Sequence, residues 1–218
     1  MEQLTNLTVT EFTDILASNA PAPGGGSVAA LFGACGASLA VMTANLTIGK
    51  KKYAENWDNA EAAKVVGEPL IEQFRKAIDD DTLAFNKLFE AMHLPKDTDE
   101  QKAARRAAIE ETTKEAANMP FRTLSLCAHT IAVLEKLEGR INPNCASDFG
   151  VGAAAIVTAA RGAWLNVNIN LQGLNDEAFV RDLYARAKAI YDDVTARADA
   201  LYRKIDEQCR PICNQIEG

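Results

Sequence analysis

Residues 21–53 read PAPGGGSVAALFGACGASLAVMTANLTIGKKKY. The segment opens on prolines and glycines, runs on through Ala, Gly and small polar residues, and closes on Lys50, Lys51 and Lys52. From Thr13 to Asn45 the only charged side chain is Asp14. A helix that is apolar on every side belongs in an interior, and one rich in Gly and Ala lets neighbouring backbones come close. Val28–Ala44 reaches the short end of the roughly 17–25 residues that cross a bilayer. Its Ala, Gly, Ser and Thr content is far less hydrophobic than a Leu/Ile/Phe span, so it reads as the central helix of a soluble bundle, with no membrane partner. Ser27 is the N-cap this reading provides, and Gly49 the stop.

Outward from that segment the signals are helical. Thr8 or Thr10 caps a short first helix with Phe12, Ile15 and Leu16 inward. A polar helix runs from Trp57 to Gly67-Glu68, and Pro69 starts the next, which ends before Pro95. The latter carries the stripe Leu70, Phe74, Ile78, Phe85, Leu88 and Met92. Thr98 to Gln101 forms a capping box for a helix reaching about Asn118. Pro120 begins another, with Leu124, Cys127, Ile131 and Leu134 inward and a stop at Gly139. Ser147 caps a second small-residue helix over 148–172, and Asn175 caps a last one that Pro211 ends. Leu165–Leu171 alternates apolar and polar like a strand, but a strand without a partner is unstable. Read as helix, it places Gly162, Asn166 and Asn170 on one face. The chain is therefore predicted to be all-α: a single domain over residues 1–218, a bundle of about six to eight helices with two small-residue helices at its centre.

The composition agrees with a soluble domain of this size: 218 residues, 48% apolar and 24% charged. A net charge of −7 argues against a nucleic-acid partner, which would need a basic footprint. Five cysteines without a CxxC pair, and two distant histidines, offer neither a disulfide framework nor a zinc site. Reduced cytoplasmic thiols and no metal are the simpler reading, with Cys35 and Cys127 as small core residues. The N-terminus lacks the basic and apolar regions of a secretory signal.

The residue that breaks the apolar stripe is Asp81. A carboxyl group there is costly unless it is hydrogen-bonded or faces a cavity. Desolvation raises its pKa, which suits a general acid/base, although a bundle-edge ion pair would also explain it. Asp79 lies about 200° around the helix, outward with Arg75 as its i, i+4 partner. Asp148, at a helix start, is favoured in its ionised form, either as a plain cap or as a ligand anchor beside a neutral acid. The Gly24-Gly25-Gly26-Ser27 loop exposes N–H groups before a helix, but without a GK[ST] ending or a preceding strand it is a poor nucleotide loop. Lys50 and Lys51 suit an anionic tail or a solvated face.

Four segments together resemble one family: APAPGGGSVAA with GASLAVMTANLTIGKKKY, DDDTLAFNKLFEAMHLPK, CASDFGVGAA, and RGAWLNVNINLQGLND. They are similar, in order and over almost the whole chain from Phe12, to the formimidoyltetrahydrofolate cyclodeaminase/methenyltetrahydrofolate cyclohydrolase family. The resemblance implies an all-helical homodimer that binds a tetrahydrofolate derivative, with or without a polyglutamate tail, and needs no cofactor beyond that substrate. The family's catalytic carboxylate is the second Asp of D-x-D-x-x-A-[FY], which here is Asp81. Gly24, Gly25, Gly26, Ser27, Asp79, Ser147, Asp148, Asn166 and Asn170 match as substrate-binding candidates, with Asp148 suited to the pterin edge and Lys50 and Lys51 to the glutamate tail. The implied reaction is ring closure of 5-formimidoyltetrahydrofolate to 5,10-methenyltetrahydrofolate with release of ammonia, a lyase activity. The alternative is the cyclohydrolase reaction, hydrolysing the methenyl bridge to 10-formyltetrahydrofolate. A non-enzymatic folate-binding or scaffolding dimer is the remaining alternative.

Overall fold

The computed structural model describes residues 3–210, and the expected stop at Pro211 lies outside them. The fold is all-α: α1 (Val9–Leu16), α2 (Gly25–Asn45), α3 (Trp57–Met92), α4 (Asp99–Leu137), α5 (Ala146–Leu171) and α6 (Glu177–Cys209). Short 3-10 turns cover Leu4–Asn6, Lys51–Asn56 and Pro143–Cys145. Helix α2 packs between α3 and α5, α4 closes the bundle behind all three, and α6 lies along α4 and α5. The small residues do what their size permits. A Cβ on Gly33 would fall 2.2 Å from Phe74 Cε1, and one on Gly36 would fall 2.7 Å from Ile156 Cδ1. Gly36 meets Gly152, while Ala29 meets Gly162 and Gly25 meets Asn166, so α2 and α5 run antiparallel.

Two of the expected breaks do not occur. Pro69 and Pro120 lie inside α3 and α4 rather than at helix starts. Proline withholds an N–H from the carbonyl four residues earlier. For Pro69 that carbonyl belongs to Val65, which is exposed to water. For Pro120 it belongs to Ala116, and the Asn170 side chain supplies the missing donor from α5, with Nδ2 3.1 Å from Ala116 O. Packing on both sides of each proline then carries the helix through.

The termini of the elements differ from expectation in smaller ways. The Thr8–Glu11 and Thr98–Gln101 capping boxes are both present, and Gly139 adopts a left-handed φ of 70° just past α4. Asp176, not Asn175, caps α6 through its bond from Phe179 N–H, because the Asn175 amide groups are taken up by Glu110. Helix α2 stops at Asn45, short of Gly49. Cys127 is buried as expected, whereas Cys35 is exposed on the outer side of α2. On α1 only Phe12 is buried, and Ile15 and Leu16 are partly exposed.

Candidate active site

Helix α3 presents Asp81 to the first turn of α2. The N-cap of α2 is Gly24, extended and without a side chain, and the first intrahelical bond runs from Val28 N–H to Gly24 O. The N–H groups of Gly25, Gly26 and Ser27 therefore have no partner within the helix, and the positive end of the helix dipole gathers there. A Cβ on Gly26 would fall 2.1 Å from Asp81 Oδ1 and 2.5 Å from its Cγ. Only glycine lets the carboxylate rest against that turn.

Ser27 is fully buried inside the first turn and is not the cap. Its Oγ lies 2.9 Å from Ile78 O, 3.1 Å from Asp81 Oδ2 and 3.1 Å from Thr82 Oγ1. One hydroxyl proton cannot serve Ile78 and Asp81 together. With Asp81 ionised, Ser27 donates to the carboxylate. With Asp81 protonated, the acid can donate to Ser27, whose own proton turns to the Ile78 carbonyl. Both charge states of Asp81 thus find partners, which a proton-transfer group needs. Burial pushes the Asp81 carboxyl above the usual carboxylate range, and the Ser27 hydroxyl and N–H only partly oppose it. Thr82 is a buried member of this cluster that sequence reasoning missed; its place beside Asp81 on the inner face was the available signal.

The neighbouring aspartates point elsewhere. Asp79 accepts from Leu4 N–H at 2.6 Å and from Thr5 Oγ at 3.0 Å, which pins the N-terminal 3-10 turn. Arg75, its expected partner, pairs with Glu72. Asp80 is held by Lys76 and Arg122. A groove of about 650 Å³ opens between that turn and this side of α3, lined in part by Glu72, Lys76, Asp79 and Asp80.

The remaining sequence candidates divide between two places. Asn166 lies against the start of α2, with its Nδ2 3.3 Å from where a Gly25 Cβ would be. Asn170 is committed to Ala116. Lys50 and Lys51 are exposed beyond the other end of α2. Ser147 is exposed and Asp148 half-buried in the first turn of α5, whose N-terminus is tied to that same end by the Asn142 N–H···Thr47 Oγ bond of 2.9 Å. Ser147 is not the cap either, because the 3-10 turn Pro143–Cys145 runs straight into α5. With 21 residues in α2, about 20–30 Å separates the Asp148/Lys50 end from Asp81 within one chain.

The chain matches the family model described as formiminotransferase-cyclodeaminase over residues 8–189. It is 40% identical over 209 residues to the methenyltetrahydrofolate cyclohydrolase of Methylorubrum extorquens, a match covering 96% of this chain and 99% of that one. It is 32% identical over 202 residues to the formimidoyltransferase-cyclodeaminase of Sus scrofa, covering 89% of this chain and 36% of the pig protein. Among solved structures, the formiminotetrahydrofolate cyclodeaminase of Thermotoga maritima superposes with a TM-score of 0.78 at 28% identity, over 92% of this chain and 98% of that one. The helical fold, the order of the motifs and the span of these matches agree: the chain belongs to the formiminotransferase-cyclodeaminase family.

Proposed function

We propose that the protein is a cytoplasmic folate one-carbon enzyme whose acid/base group is Asp81. The observation that carries this reading is the half-buried carboxyl held against Gly26 and Ser27, with raised proton affinity and a partner for each charge state. In the cyclohydrolase direction, Asp81 takes a proton from the water that attacks the methenyl carbon. The C–N5 bond then breaks, N5 receives a proton, and the formyl group stays on N10. In the cyclodeaminase direction, N10 attacks the carbon of the protonated formimidoyl group (N5–CH=NH2⁺) and Asp81 takes the N10 proton. It passes that proton to the leaving nitrogen, so that ammonia departs and the cationic methenyl bridge faces the carboxylate.

The two directions share the acid/base group and differ in the leaving group. The 40% match along almost the full length of a methenyltetrahydrofolate cyclohydrolase favours hydrolysis, and the Thermotoga structure's name favours cyclodeamination. Neither direction calls for a metal, and among the described residues no three His, Cys, Asp or Glu side chains gather as metal ligands. The N–H groups at the start of α2 and Asn166 are positioned to bind polar substrate atoms near Asp81. Assays of methenyltetrahydrofolate hydrolysis and of ammonia release from 5-formimidoyltetrahydrofolate test the reading. At least one is expected to proceed faster than the uncatalysed rate, and the absence of both would overturn it.

A further inference from the structure

Helix α2 starts beside Asp81, but its neighbours run on past it. Helix α3 continues from Asp81 to Met92, about three turns or 16 Å. Helix α5 passes the start of α2 at Asn166 and continues to Leu171, more than one turn further. Both stay seated on α4 there: Ala116 of α4 packs with Ala84 and Leu88 of α3 and accepts the Asn170 bond from α5. The channel that α2 fills elsewhere is thus left without a helix beyond Gly24, floored by α4. Its width is that of the missing helix, about 8–10 Å.

The α3 wall of this channel is aromatic. Phe85 and Phe89 follow Asp81 at i+4 and i+8, on the side of α3 that turns Phe74 and Ile78 to α2. Where α2 has ended, Phe85 is half-buried and Phe89 is 41% exposed. Their rings stack with centroids 6.3 Å apart, and the His93 ring follows 4.3 Å from Phe89. A carbonyl oxygen only accepts, so His93 Nδ1 donates to Phe89 O at 2.7 Å, which holds the imidazole against Phe89. The opposite wall is polar: Asn166 donates through Nδ2 to Gly162 O and keeps its Oδ1 as an acceptor. Aromatic surface left open beside a half-buried carboxyl suits a ligand that is part ring and part polar edge.

We propose that Phe85 and Phe89 determine specificity by stacking on the aryl ring that a tetrahydrofolate carries on N10, with the pterin on the Asn166 side of Asp81. The inference rests on the folate reading above. The connectivity of such a substrate demands this order. In either reaction the carbon at Asp81 is bonded to N10, and the aryl ring begins two bonds from that carbon. With the carbon at the carboxylate, the ring falls within about one helix turn, roughly 5 Å, where Phe85 stands. Phe89 is one turn further out, so the arm leaving the aryl ring runs along α3. Ring centroids about 4.5–7 Å apart are the spacing at which aromatic pairs attract. The bicyclic ring, rich in N–H and C=O groups, is left to the polar wall.

The test is calorimetric binding of tetrahydrofolate and of 6-methyltetrahydropterin, which lacks the aryl arm. The wild type should bind tetrahydrofolate more tightly. Phe85→Ala and Phe89→Ala should each weaken tetrahydrofolate by about 2- to 10-fold, the worth of one aromatic pair, and leave 6-methyltetrahydropterin unchanged. Phe89→Tyr should bind as the wild type does. In turnover the loss should fall on KM with kcat retained. Phe89 is exposed, so its alanine variant keeps its helical circular dichroism even if the Phe85 variant does not fold. Equal binding of the two ligands by the wild type, equal weakening of both by Phe89→Ala, or no weakening of either overturns the proposal. A wild type that binds neither ligand overturns the folate reading with it. A wild type that shows the aryl preference without turnover refutes the acid/base reading alone.

Discussion

At the scale of the residue, the site depends on a contact that only glycine permits. Gly26→Ala places a methyl group where Asp81 Oδ1 now lies, 2.1 Å from the new Cβ, and displacing a reacting group by about 1 Å costs about 100-fold in rate. We expect turnover to fall by about that factor with the melting temperature little changed. Gly173→Ala, with nothing within 4 Å of its Cβ, should keep wild-type turnover, and equal effects from the two substitutions would contradict the packing. Asp81 also ties stability to pH. Its folded pKa is raised, so between the ordinary carboxyl range and that raised value the folded chain binds more protons than the unfolded one. The favourable contribution is present at acid pH and is lost as pH rises through the raised pKa. Thermal melts of wild type and Asp81→Asn should therefore diverge with rising pH, the variant becoming relatively more stable; a constant offset would show that the carboxyl is not desolvated. The helical projection alone singled out Asp81, because a charged residue in an apolar stripe is visible in sequence. Its partners were less legible: Ser27 looks like a cap in one dimension, and only the fold brings Ile78 O and Thr82 to it.

At the scale of the element, Pro69 and Pro120 mark where sequence reasoning places breaks and the structure has none. A proline's missing N–H and steric bulk are local facts, whereas the water over Val65 and the Asn170 amide that satisfies Ala116 come from elsewhere. That is why α3 and α4 could not be read as continuous from their own residues. It also gives Asn170, which the family resemblance suggests as a ligand contact, a structural task of its own as the substitute donor for α4. Asn170→Ala should cost about 1–3 kcal/mol in chemical denaturation, the penalty for an orphaned carbonyl. In a Pro120→Ala background the restored N–H should reduce that cost to a few tenths of a kcal/mol. An undiminished cost in the double variant would mean that Asn170 acts by another route.

At the scale of the whole molecule, much of the architecture was readable because helix periodicity, capping boxes and a charge-free central segment point the same way. Less readable was that the central helix is buried on one side only. Composition shows that α2 avoids water, but not whether its cover comes from the same chain. Among the described residues, α2 is the one helix long and apolar enough to cross a membrane, and 61% of its most apolar window is already buried by the chain. It packs between α3 and α5 and carries the glycine against which Asp81 rests. The most direct test of that account is Asp81→Asn, assayed for tetrahydrofolate binding and for turnover in the same preparation. Binding should persist while kcat falls by about 10²–10⁴, the usual contribution of a positioned acid/base group; turnover at the wild-type rate would contradict the account.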